Sequence, residues 1–131
     1  MYEIVMGVDG DEKRAREQAE NIVQLPVENG SIRVTVVHVF TDNPRGKSAN
    51  QVSSVREAVG RLEQAGIEVE IRGTGGDPTA EVLRIAEQTG AELISVAGRK
   101  RSPSEKVVFG SVSESVLLET DLPVVVSGRI D

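Results

Sequence analysis

Val34-Thr35-Val36-Val37, at the centre of the run Ile32–Phe40, is apolar and β-branched with almost no polar alternation. A strand with one wet face alternates apolar and polar residues. A run like this one is what a strand buried on both faces looks like, and such strands belong to parallel sheets covered by helices. Four further runs share the character: residues 4–8, 67–71, 93–97 and 124–126.

Helical patterns separate these runs. Asp11 is a good N-cap for a first helix with Ala15, Ala19, Ile22 and Val23 on one stripe and Glu12, Arg16 and Glu20 facing water, ending before Pro26. A second stripe reads Val52, Val55, Val59, Leu62 and Ala65, with Gly66 placed to terminate it. The third has Asp77 as N-cap, Pro78 at the first helical position, Val82, Leu83 and Ala86 inward, and Gly90 as its stop. The fourth is expected to open at Ser111, whose spacing to Glu114 matches a capping box, and to carry Val112, Val116 and Leu117 toward the sheet before Leu122-Pro123. The order β-α-β-α-β-α-β-α-β with short connections predicts an α/β fold. It is a single open five-stranded parallel sheet with helices on both faces, in one domain over residues 1–131.

Composition narrows the function. The 131 residues contain no cysteine, which excludes disulfides, thiolate metal sites and cysteine catalysis. Aromatic residues are confined to Tyr2, Phe40 and Phe109, and the net charge is -6, a poor match to a nucleic-acid surface built from basic stripes and stacking rings. No apolar run approaches the ~20 residues of a membrane span, and the strand-like start leaves no room for a signal peptide. The expectation is a soluble cytoplasmic domain with no membrane or nucleic-acid partner.

Ligands of open parallel sheets bind beyond the carboxyl ends of the strands, where the winding direction reverses. The candidate loops there are Asp9-Gly10-Asp11, the polar stretch 41–50 (read as a plain surface loop), Thr74-Gly75-Gly76-Asp77, and the stretch from Gly98 onward. The last one stands apart. Arg99, Lys100, Arg101 and Lys106 against Glu105 give it a charge of +3, which leaves -9 for the rest of the chain. It ends at Gly110-Ser111, where bare glycine backbone, a hydroxyl and the unpaired N–H groups of a helix start suit a phosphate. Spacing alone fits a solvated basic loop with Ser111 as a simple cap equally well.

These residues resemble the universal stress protein family, specifically its nucleotide-binding branch, which carries G-x2-G-x9-G-S/T after the fourth strand. Ala97 and Lys100 fall at the two early glycines and Gly110-Ser111 at the final pair. Gly110-Ser111-Val112-Ser113-Glu114-Ser115-Val116-Leu117 with Leu122-Pro123-Val124-Val125-Val126 is similar to the family's last helix and strand. Ile4-Val5-Met6-Gly7-Val8-Asp9-Gly10 resembles its first strand and acidic turn, His38-Val39 the end of its second strand, and Gly76-Asp77-Pro78 its third loop.

The resemblance implies a Rossmann-like fold of the adenine nucleotide alpha hydrolase type, acting as a small stress-response regulator that binds ATP or AMP. Asp9 would lie near the ribose, with Val39 backbone and the walls Gly7, Val8 and Val96 around adenine. Ala97, Gly98, Arg99 and Lys100 would lie beside ribose and phosphates, and Gly110, Ser111 and Val112 would meet the phosphates. The register departs from the family at two places. Ala97 replaces the first glycine, unless Gly98 serves one residue on. Lys100 replaces the second, where it either fills the space the phosphate needs or supplies charge to it. The resemblance also implies a homodimer through the final strand; an apolar edge strand such as Val124-Val125-Val126 needs covering.

Other chemistries find little support. His38, the single histidine, has no serine, cysteine or metal-ligand partner at readable spacing, so a structural role is expected. Asp11 is accounted for as a cap, and Asp9 alone holds Mg²⁺ only when a bound phosphate completes the shell. No P-loop and no G-x-G-x-x-G is present, and the aspartate and lysine positions of a phosphoreceiver hold Gly73 to Gly75 and Ser127. ATP hydrolysis, if any, would be slow and without a dedicated base. The alternative from a different class is a nucleotide-free dimeric interaction module of the same fold.

Overall fold

The computed structural model describes residues 1–43, 45–98 and 109–128. Five strands form one sheet: β1 (Tyr2–Gly7), β2 (Ile32–Phe40), β3 (Glu68–Gly75), β4 (Leu93–Ala97) and β5 (Val124–Ser127). Their order is β3-β2-β1-β4-β5, and every pairing is parallel. The four helices are α1 (Glu12–Val23), α2 (Ser53–Gln64), α3 (Pro78–Thr89) and α4 (Ser111–Glu119). Single 3-10 turns occupy Asn29–Ser31 and Ala49–Gln51. This is the expected α/β sheet.

Strand pleating explains why the runs lack polar alternation. Ile4, Met6, Ile32, Val34 and Val36 point into one cluster with Ala15, Ala19, Ile22, Val55, Ala58 and Leu62 of α1 and α2. Val5, Val37, Ile94 and Val96 point the other way, into a cluster with Val82, Ile85, Ala86 and Val116 of α3 and α4. Both faces of β1, β2 and β4 are therefore core, with Thr35 and Ser95 the buried hydrophilic residues of β2 and β4.

Strand bounds differ from the sequence reading where pairing, and not side-chain character, decides. β1 starts at Tyr2, paired with Ile32. β3 runs on to Gly75 because Gly73, Thr74 and Gly75 continue the ladder with His38, Val39 and Phe40. As an edge strand β3 is mostly exposed, so its residues carry a weak apolar signal.

Three expected helix ends are confirmed in detail. Asp11 caps α1 by accepting from the Arg14 N–H at 2.9 Å, and Asp77 caps α3 by accepting from Ala80 N–H at 2.9 Å, with Pro78 at the first helical position. Gly90 closes α3 in the left-handed region at φ 65°. The fourth helix departs from expectation. Its N-cap is Gly110, with Ser111 already helical, because the Glu114 N–H bonds the Gly110 carbonyl at 2.9 Å. The Ser111–Glu119 helix thus has no capping box on Ser111. Leu117 does not reach the sheet either: it is 36% exposed, while Ser113 and Val116 are buried.

Candidate functional site

The sheet order reverses direction between β1 and β4, and a cleft of about 450 Å³ opens there at the carboxyl ends of the strands. Of the twelve residues selected from sequence, ten line it: Gly7, Val8, Asp9, Val39, Val96, Ala97, Gly98, Gly110, Ser111 and Val112. Arg99 and Lys100, with the rest of the basic stretch, lie outside the described residues.

Each wall has a local cause. Gly7 ends β1 facing α3, where a Cβ would come within 3.2 Å of Val82 Cγ2; the absence of a side chain lets α3 pack close and leaves Val82 in the lining. Val37, Val39, Val82 and Val96 make an aliphatic surface from β2, α3 and β4. Gly98 is tied back by its N–H to the Ser127 carbonyl at 2.7 Å.

The start of α4 forms the polar end. No side chain caps this helix among the described residues, in contrast to the aspartates that occupy the starts of α1 and α3. Its first N–H groups are the unpaired donors every α-helix leaves at its start, and they carry the positive end of the helix dipole. Ser113 does not cap them: its hydroxyl turns to the Gly110 carbonyl at 3.0 Å. The Ser111 side chain is exposed at the cleft.

Asp9, just past the end of β1, also lines the cleft. Its Oδ1 accepts from the Asp11 N–H at 2.9 Å, and its Oδ2 lies 3.3 Å from Arg14 Nη1. His38 Nδ1 lies 2.8 Å from the Val8 carbonyl oxygen, and its ring meets Phe40 edge-on with centroids 4.7 Å apart. The His38 ring also lines the cleft. Among the described residues, no group of three histidine, aspartate or glutamate side chains is placed to hold a metal ion.

The sequence reading missed several lining residues. Thr41 and Asp42 belong to the stretch read as a plain surface loop, yet they follow β2 directly and line the cleft. Ala49 of the same stretch is buried, and a Cβ on Gly73 would come within 3.0 Å of Ala49 Cβ. The rule that ligands sit beyond strand ends already pointed at residues 41 and 42. Arg14, one turn into α1, had no such signal.

The family model for the universal stress protein family matches residues 1–127. The chain belongs to the universal stress protein family. A curated relative, the "Universal stress protein" of Mycolicibacterium smegmatis, is 37% identical over 71 residues, which cover 53% of this chain and 55% of the relative. The match thus spans about half the length of that relative. Among solved structures, a universal stress protein from Archaeoglobus fulgidus superposes with a TM-score of 0.75 at 27% identity, covering 97% of this chain and 98% of the other. A universal stress protein from the same organism in complex with dAMP gives a TM-score of 0.70 at 23% identity, with the same two coverages. Among the described residues, no helix of this family member is long and apolar enough to cross a membrane.

Proposed function

We propose that this member of the family binds an adenine nucleotide, AMP or ATP, in the cleft at the β1/β4 reversal and serves as a nucleotide-responsive regulator. One observation carries the reading. Five separate stretches of chain converge there with complementary chemistry: aliphatic walls, a carboxylate and an uncapped helix start. The A. fulgidus protein of this fold, solved in complex with dAMP, supports the same ligand class.

The chemistry assigns each part of the ligand. Adenine lies against Val8, Val39 and Val96, read by backbone groups because the aromatic rings among the described lining residues are those of His38 and Phe40 alone. The Asp9 carboxylate accepts from ribose hydroxyls through the acceptor positions that the Asp11 N–H and Arg14 leave free. The phosphates meet the N–H groups of Ser111 and Val112 and the Ser111 hydroxyl, next to Gly110, Ala97 and Gly98. Arg99 and Lys100, which lie outside the described residues, are the positive charges the sequence offers to a phosphate. Asp9 with phosphate oxygens is the donor set available to a Mg²⁺ ion carried in with ATP. The reading is nucleotide binding, with any ATP hydrolysis slow and without a dedicated base.

Calorimetric titration with AMP and with ATP plus Mg²⁺ tests the proposal. Saturable binding, lost when Gly110→Val and Ser111→Ala are combined, is expected. No heat and no thermal stabilisation at millimolar nucleotide would favour a nucleotide-free interaction module instead.

A further inference from the structure

The end of β1 leaves the sheet at the mouth of the cleft, and carbonyl groups there need partners that the ladder no longer supplies. Three successive carbonyls receive them from three different elements. Gln18 of α1 donates from Nε2 to the Gly7 carbonyl at 2.9 Å. His38 of β2 places Nδ1 2.8 Å from the Val8 carbonyl. Ser54 of α2 donates its hydroxyl to the Asp9 carbonyl at 2.6 Å.

A carbonyl oxygen only accepts, so Nδ1 of His38 carries its hydrogen. Gln18 and Ser54 are fully buried, and water does not compete for their bonds. Neither lines the cleft, so neither touches a ligand held there; the His38 ring does line it, so Ser54→Ala is the variant that reads the collar free of ligand contact. The Asp9 side chain is fixed in addition by the Asp11 N–H and Arg14. The turn that presents Asp9 is thereby held from both its main chain and its side chain.

We propose that Gln18, His38 and Ser54 are positioning residues, a collar that sets the end of β1 so that Asp9 meets the ribose in one orientation before the nucleotide arrives. The assignment rests on the nucleotide reading above. Its physical content is preorganisation: a turn already ordered in the free protein does not have to be ordered on binding.

Two measurements on the intact protein test it. The first is the Kd for AMP, well below the melting temperature of each variant; the second is amide hydrogen exchange at Val8 and Asp11 in the ligand-free protein. His38→Phe keeps a ring against Phe40 and removes the donor, Ser54→Ala removes the hydroxyl, and His38→Asn restores an N–H near the Nδ1 position. Expected are an AMP affinity weaker by about tenfold in His38→Phe and Ser54→Ala, and exchange faster by about the same factor. His38→Asn should recover most of both. A lowered melting temperature with unaltered Kd and exchange overturns the proposal, as does a His38→Asn protein that behaves like His38→Phe. Failure of the unsubstituted protein to bind AMP overturns the nucleotide reading, and the exchange rates in the free protein then decide by themselves whether the collar holds the turn.

Discussion

Arg14 Nη1 stands 3.3 Å from the Asp9 carboxylate, and both side chains line the cleft. The pair is too exposed to add much to folding, since surface ion pairs contribute roughly 0–1 kcal/mol. On the proposed reading, its effect belongs to the ligand. Arg14 orients Asp9 and is the one arginine or lysine among the described lining residues. Arg14→Ala should weaken AMP binding by roughly three- to tenfold and flatten its salt dependence, while moving the melting temperature by no more than about 2 °C. Titrations at two ionic strengths read this, and unchanged affinity would count against it.

Gln18 gives a stability prediction. Its Nε2 bonds the Gly7 carbonyl and lies 3.3 Å from Ser95 Oγ, while its buried Oε1 has no partner among the described residues. Gln18→Leu therefore removes one useful donor and one costly acceptor together. The expected loss is about 1 kcal/mol, below the ~3 kcal/mol upper range for orphaning a buried group. Urea denaturation measures it, and a loss well above that range would show that Oε1 is engaged.

Gly90 closes α3 at φ 65°, ψ 38°, and nothing lies within 4 Å of a Cβ added there. The cost of a side chain is purely conformational. Gly90→Ala should lower stability by about 1 kcal/mol and Gly90→Asn by less, because asparagine tolerates the left-handed region. Equal stability of the alanine and glycine forms would contradict the assigned backbone geometry.

Acid should unfold this protein partly through Glu81 and Glu20. A hydrogen bond from Arg84 and a second from Thr74 hold the Glu81 carboxyl below its ordinary range, and Arg61 does the same to Glu20. A lowered native pKa contributes stability that is fully present above the unfolded-state value, near 4.3, and is lost as pH falls through the native one. The urea midpoint should hold between about pH 7 and 5 and decline below about 4. Glu81→Gln should make that decline shallower, an outcome checked by denaturation at stepped pH.

Assembly is open to a direct measurement. β5 lies at the sheet edge beyond β4, its valines are only partly buried, and Leu118 on neighbouring α4 is 79% exposed. Pairing of two copies along β5 should give a dimer in sedimentation at micromolar concentration; a monomer there would count against it.

Much of this architecture can be read without coordinates, for a physical reason. β2 and β4 are recovered end to end because burial on both faces leaves few positions for polar residues, and α3 because Asp77, Pro78 and Gly90 each have one sterically favoured place. What escapes the sequence is decided between elements. The final residues of β3 are strand only because β2 lies beside them, and the N-cap of α4 falls on Gly110 through a single main-chain bond. The ten lining residues followed from strand ends and a family motif. Arg14, Gln18 and Ser54 did not, since their contribution depends on which carbonyl or carboxylate the fold brings to them.

The cleft draws its walls from β1, β2, α3, β4 and α4, so one small molecule seated in it would act as a removable cross-link between distant parts of the chain. Mass action then ties the folded state to supply: at a concentration one hundred times Kd such a ligand adds about 2.7 kcal/mol. A protein of this size has only about 5–15 kcal/mol in total. Its survival in the cell would therefore rise and fall with the adenylate pool, and its abundance would keep a record of the energy state.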